Sequence, residues 1–340
     1  MLKRILLIVA GLLGLIVVVL GGLVWGSQEH LMPRRPNIPF APLQDTVLKD
    51  PDNPTKVFHF DMAKVEQEVP LTRAQLASLY PENIRALRQE EVDQLYGRLS
   101  AGSIPDGAYQ GDLVFPRGDG SSERQEVVSR LRRMLPFVDA DPPPRLEEAL
   151  GGVMGRLAGD NIKMVEAIGR SVWKGKYFYR DAMILRNFTE NFLPVERIIR
   201  VDDRKSVEQT KVPRVGWLRY FSPMTTVNLL FPAKLHCGQS LLDGRRESII
   251  IDYAFNDDVK GYQRNPDALV GRNGLRVREE IRMVRPGFYL GRAYVNRILV
   301  VNFTLYNPQV AESGRDSFAK GEPIPEDCWI GEQLRHAGTN

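Results

Sequence analysis

The side chains of this sequence that could do chemistry sit on strand-like runs in its C-terminal half, and the foremost are Glu279 and Arg292. From Leu275 to Met283 the apolar residues Leu275, Val277, Ile281 and Met283 fall on one face of a strand, and Arg276, Arg278, Glu280 and Arg282 on the other. Glu279 breaks the alternation by sharing the apolar face, where a carboxylate is costly unless it is paired or protonated. On the following run Phe288, Leu290, Arg292 and Tyr294 share one parity, so Arg292 is the candidate partner. A charge pair inside an apolar cavity would orient the polar head of a ligand, and apolar walls with a few convergent polar groups are the usual form of a small-molecule site. The competing reading is a register slip or bulge that turns both charges to solvent.

Around that pair the candidate ligand-binding residues are Tyr294, Tyr289, His236 and Glu247, all on predicted strands. Glu247 shares parity with Ile249, Ile251 and Tyr253 and stands at its strand's start, where a rim position would let it reach water. Asp252 has the opposite parity and reads as outward-facing. His236 and Cys237 cannot work together as base and nucleophile, because adjacent strand residues point to opposite faces. The sequence holds no Gly-x-Ser-x-Gly, His-Glu-x-x-His, phosphate-binding glycine loop or Cys-x-x-Cys. None of its histidines, His30, His59, His236 and His336, lies within four residues of another, which argues against zinc. No catalytic residue, metal or cofactor is therefore assigned.

The elements that must position these side chains are strands. Leu275–Tyr306 contains three runs separated by the short breaks Pro286-Gly287 and Asn296-Arg297, so they return antiparallel as a meander. Earlier runs follow the turn at Ile104-Pro105-Asp106 and lie at Val172–Tyr179, Ala182–Phe188, Leu229–Gly238 and Glu247–Phe255. Val215–Phe221 is a short further candidate, and Thr189–Pro213 reads as a polar connection. Asp243-Gly244 is the favoured pair for a two-residue hairpin turn, in which both positions need positive φ. Eight such strands suffice to close an up-and-down antiparallel barrel with room for one small ligand. Residues 57–100 read as short helices, with Thr72 and Gln75 in a capping pattern. Residues 121–170, broken at Pro142-Pro143-Pro144, carry three amphipathic stripes and form a helical insertion after the first strand. The body, residues 101–308, is thus mainly β with added helices, and residues 309–340 read as an irregular tail over the barrel wall.

Gly107-Ala108-Tyr109 opens the first strand with Gly-x-aromatic, and here the chain resembles the calycins, the lipocalin and fatty-acid-binding group of barrels. Lipocalins usually carry Trp where this chain has Tyr109. The order of elements over roughly residues 104–306 is similar to the fatty-acid-binding pattern, in which a helical pair follows the first strand and lids the barrel. The insertion is longer here than in that family. The resemblance brings no catalytic motif; it implies a barrel cavity that takes an apolar or lipid-like ligand.

Met1-Leu2-Lys3-Arg4 precedes Ile5–Trp25, which contains no charged residue. As a helix that run spans about 30 Å, the thickness of a bilayer core. It is longer than the apolar region of a secretory signal, and Val24-Trp25-Gly26 is a poor cleavage site. Residues 1–25 are therefore expected to be a retained single-pass anchor in the inner (plasma) membrane, with Lys3 and Arg4 in the cytoplasm and the body on the periplasmic, extracytoplasmic side. Residues 26–56, with Pro33, Pro36, Pro39 and Pro42 among them, form a Pro-rich linker. In such a compartment Cys237 and Cys328 could form one bridge; the alternative is two separately buried thiols. The 46 Lys and Arg are interleaved with 42 Asp and Glu, leaving no basic and aromatic stripe, so no nucleic-acid partner is expected.

The expected activity is non-covalent binding of an apolar or amphipathic, lipid-like ligand in the barrel. One rival is a hydrolase or isomerase that uses a buried carboxylate as general acid or base. Another is a filled barrel serving as a protein-interaction module through the outer arginines Arg276, Arg278 and Arg282. The lumen separates the three: a filled one favours interaction, a lone carboxylate favours catalysis, and a charge pair favours binding.

Overall fold

Pro286-Gly287 forms a two-residue reversal between paired strands. Proline presets the first central position of the turn, and Gly287 takes the second at φ 75°, which a side chain at that position rarely tolerates. The structure, a computed structural model, describes residues 34–42, 61–115, 173–190, 203–213, 222–295 and 297–328. Its strands are β1 (Gly107–Val114), β2 (Trp173–Tyr179), β3 (Ile184–Glu190), β4 (Gln209–Pro213), β5 (Met224–Gln239), β6 (Glu247–Asp252), β7 (Val277–Arg285), β8 (Phe288–Val295) and β9 (Ile298–Tyr306). All pair antiparallel, in the order β3-β2-β1-β9-β8-β7-β6-β5, and a further β3–β5 pairing closes an eight-stranded barrel.

The ninth strand, β4, lies within the stretch expected to be a polar connection. Only Val212 of its residues is buried, so the run carries almost no apolar signal, and Pro213 ends it. It pairs with the first part of β5, through Met224–Asn228, on the edge where β6 later takes Lys234–Gln239. Between the two partners Phe231 adopts φ 52°, and its N–H donates to the Asp267 carboxylate at 2.8 Å. That buried carboxylate, which also accepts from the Gln263 N–H at 2.8 Å, holds a backbone conformation that costs about 1 to 2 kcal/mol for a residue with a side chain.

The β5–β6 hairpin exists, but its turn is not of the two-residue kind. Residues 240–246 connect the strands, and neither Asp243 nor Gly244 has positive φ. The neighbouring strand captures the loop instead: Glu280 accepts from Ser240 Oγ at 2.7 Å and from the Leu241 N–H at 3.0 Å, while Arg282 donates to the carbonyls of Asp243 and Arg246. This sets two glycines in contrast. Gly244 has open space where a Cβ would stand, whereas a Cβ on Gly287 would lie 2.5 Å from the Ala311 nitrogen. In paired melting curves, Gly244→Val is expected to stay within about 0.5 kcal/mol of the parent, and Gly287→Val to lose about 1 to 3 kcal/mol.

Four short helices, Met62–Glu68, Arg73–Ala77, Pro81–Arg85 and Gln89–Gly97, cover the outer face of the barrel. Thr72 and Gln75 form the reciprocal cap of the second. Leu79, Ile84, Val92 and Leu95 pack against Val284, Phe288 and Leu290, so β8 is buried along its whole length. The tail is not irregular throughout. Pro308–Ser313 and Arg315–Ala319 are helical, with Pro308 in the first turn and Asn307 capping the N–H groups of Gln309 and Val310. Proline there starts a helix instead of breaking the chain. Cys237 and Cys328 are joined in a disulfide. Among the described residues no helix is long and apolar enough to cross a membrane. The expected anchor, most of the linker, the insertion 121–170 and the strand candidate at Val215 lie outside the described residues.

Candidate functional site

Side chains fill one end of the barrel. Tyr109 meets Phe178 and Tyr289 edge-on, with ring centroids 5.5 and 5.7 Å apart, and Leu185, Ile249, Met283 and Leu305 complete that plug. Ser100 bridges to Met283 across the same end, and Tyr289 donates to the Ser103 carbonyl at 2.6 Å. The other end holds a cavity of about 200 Å³. Its walls are Leu113, Trp173, Phe231, Val270, Val277, Ala293, Val301 and Phe303, interrupted by Asn187, Thr189, Tyr253 and Glu279.

Behind the cavity wall Lys176, with no exposed surface, stands 2.8 Å from Glu279 Oε2. A bulge in β2 between Trp173 and Gly175 turns both Trp173 and Lys176 inward. Lys176 Nζ also donates to Asn187 Oδ1 at 2.6 Å and to the Tyr253 hydroxyl at 3.0 Å. Asn187 Oδ1 takes a second donor, Trp173 Nε1, at 2.9 Å, and its Nδ2 donates to the Phe231 carbonyl at 3.0 Å and to Tyr253 at 2.9 Å. The Tyr253 hydroxyl in turn donates to Glu279 Oε2 at 3.1 Å. The Trp173 and Phe303 rings each lie 5.4 Å from the ammonium, a cation–π arrangement.

Burial pushes the Lys176 pKa down and the Glu279 carboxylate works against that fall. Burial, with Glu279 adding to it, drives the Tyr253 phenol well up, so it stays a hydrogen-bond donor. An ammonium that spends three protons on Glu279, Asn187 and Tyr253 offers no lone pair to a carbonyl, and its geometry does not suit Schiff-base chemistry. Two residues of the cavity wall keep hydrogen-bonding capacity in reserve. Among the described residues both contacts of Glu279 go to Oε2, leaving Oε1 free, and Thr189 Oγ1 has no partner although Thr189 is only 2% exposed.

Of the residues expected at the site, Glu279 alone lines the cavity. Strand register sets Glu279 opposite Ala293 and Glu280 opposite Arg292, so Arg292 and Tyr294 point outward beneath the helices. There Arg292 pairs with Asp93 and donates from Nε to the Tyr294 hydroxyl at 2.8 Å, and Tyr294 donates to Glu280 at 3.0 Å. Arg282, likewise buried, donates to Ser248 Oγ at 3.0 Å and to the Tyr96 carbonyl at 3.2 Å. This second network fastens the helices to the sheet. It also removes Arg282 from any outer binding surface, leaving Arg276 exposed and Arg278 half-buried. Tyr289 faces the lumen but belongs to the plug. His236 is exposed on the outer wall. Glu247 is half-buried at its strand's start, away from the cavity residues, and burial raises its pKa.

Sequence reasoning missed Lys176, Asn187, Tyr253, Trp173 and Thr189. A usable signal existed for some of them: Lys176 shares parity with Phe178, Asn187 and Thr189 with Leu185, and Tyr253 with Ile249 and Ile251. Trp173 gave none, since the bulge that turns it inward breaks the alternation. Among the described residues no group of three or more His, Cys, Asp and Glu is placed to hold a metal ion. Comparison of the chain with protein-family models, with curated proteins and with solved structures finds no match.

Proposed function

We propose that the protein binds a small amphipathic ligand non-covalently in the open end of its barrel, with the ligand's apolar part against Trp173, Phe231 and Phe303 and its polar group at Glu279. The observation that carries this reading is a charge-paired carboxylate set into the wall of an otherwise apolar cavity. Size narrows the ligand. An apolar cavity of about 150 Å³ admits benzene, so one of about 200 Å³ takes a ring or a short chain, and of a longer lipid only a terminal segment. Glu279 is shared by an ammonium and a phenol instead of standing alone, which favours binding over acid–base catalysis. Among the described residues the barrel is plugged at one end only and Arg282 is buried, which gives the interaction-module reading less support.

The same reading makes the barrel calycin-like, on the strength of Gly107-Ala108-Tyr109 and the closed antiparallel order. It places the body outside the cytoplasm on a membrane tether. The charge-free run Ile5–Trp25 supports the tether, and the Cys237–Cys328 bridge supports an oxidising compartment. Native mass spectrometry of the full-length protein tests the binding. A small species is expected to accompany the parent and to be absent from Ala293→Phe, which puts a ring into the cavity. Bare protein in both samples, or the same adduct on both, would count against it.

A further inference from the structure

Resting on that reading, we infer that the cavity selects a neutral ligand whose polar head is a hydroxyl, an alcohol or phenol of about eight non-hydrogen atoms, and turns away carboxylates and phosphates. The open valences decide this. The ammonium of Lys176 has all three protons committed, so it cannot greet an anion from behind the wall. The wall carries Glu279, whose Oε1 is an acceptor on a carboxylate, and Thr189, whose Oγ1 lies covered within the wall and has no partner among the described residues. An anionic head would be desolvated right beside the Glu279 carboxylate, with Thr189 as the one uncommitted donor among the described polar residues of the wall.

A protonated amine meets a different obstacle. Lys176 and Glu279 already cancel, so an ammonium would bring an uncompensated charge into an apolar chamber. The Trp173 and Phe303 rings, the aromatic faces nearest to such a charge, already face Lys176 at 5.4 Å. A hydroxyl fits without net charge. It supplies the donor that Glu279 Oε1 lacks, and a rotation of the Thr189 side chain toward the chamber would give Oγ1 the partner it lacks among the described residues.

The test is a matched series, toluene, benzyl alcohol, benzoate and benzylamine, titrated into the full-length protein and followed by saturation-transfer NMR. Benzyl alcohol is expected to bind about tenfold or more tighter than benzoate and benzylamine, and several-fold tighter than toluene. Thr189→Val removes a hydroxyl that has no partner among the described residues, so the fold is expected to persist. In that variant the affinity for benzyl alcohol should fall several-fold while that for toluene holds. Equal binding of all four compounds, or a preference for benzoate, overturns the hydroxyl inference and leaves the cavity reading standing. Failure of every compound, toluene included, overturns the cavity reading itself.

Discussion

Lys176→Met is expected to lower the stability of the protein by about 3 to 5 kcal/mol, the cost of leaving one member of a buried ion pair uncompensated. The substitution keeps a chain of similar length but strips Glu279 Oε2, Asn187 Oδ1 and the Tyr253 hydroxyl of a shared donor. Glu279→Gln should cost a similar amount for the opposite reason, since it strands the ammonium. The double substitution Lys176→Met with Glu279→Gln is expected to recover part of the loss, because each partner's charge is removed together with the other's. Glu279 and Arg292 give the control. They lie on opposite faces of the sheet, with Arg292 paired to Asp93, so their substitutions should add without coupling. Urea midpoints at constant slope provide the measurement. Single losses within about 0.5 kcal/mol would mean that the pair is solvated and that the cavity wall is not built as described.

Loss of the Cys237–Cys328 bridge is the second large effect. The bridge ties β5 to the tail across a sequence separation of 91, which corresponds to about 4 to 5 kcal/mol in the chain-entropy estimate. For a body of this size that is a fall of roughly 10 to 18 °C in melting temperature. Both reduction and the double variant Cys237→Ser with Cys328→Ser should show it. The tail has other attachments beside the bridge: the Asp327 N–H donates to the Gly102 carbonyl at 3.2 Å, its carboxylate accepts from the Ile104 N–H at 2.8 Å, and it pairs with Arg180 at 2.7 Å. Ligand affinity should barely change, because these contacts cross the plugged end and the cavity lies at the other. A melting temperature unmoved by reduction would show that the polar contacts alone carry the closure.

The barrel was legible in the sequence because most of its strands alternate and its breaks are short. Glu279 was legible for the same reason: its parity with Val277 and Ile281 is its position in the lumen. The pairing with Arg292 failed because β8 is buried on both faces, so the apolar company of Leu290 and Phe288 marked the helical side as strongly as the lumen. Parity assigns two residues of one strand to a common face; it does not say which face is inside. The true partner, Lys176, comes from a strand more than ninety residues away, and β2 places aromatic residues on both sides, with Phe178 inward and Tyr177 and Tyr179 outward. The Asp243-Gly244 turn failed for a tertiary reason, since Glu280 and Arg282 bind the loop that the turn type would have closed.

The most direct test of an open, ligand-taking barrel end is a crystal structure of the protein under xenon pressure, because xenon enters apolar cavities that the chain itself leaves empty. Xenon is expected among Trp173, Phe231, Val277 and Phe303 in the parent and should be absent from Ala293→Phe. A parent structure with no xenon at that end, and side chains of the protein occupying the space beside Glu279, would show that the barrel has no open end to take a ligand.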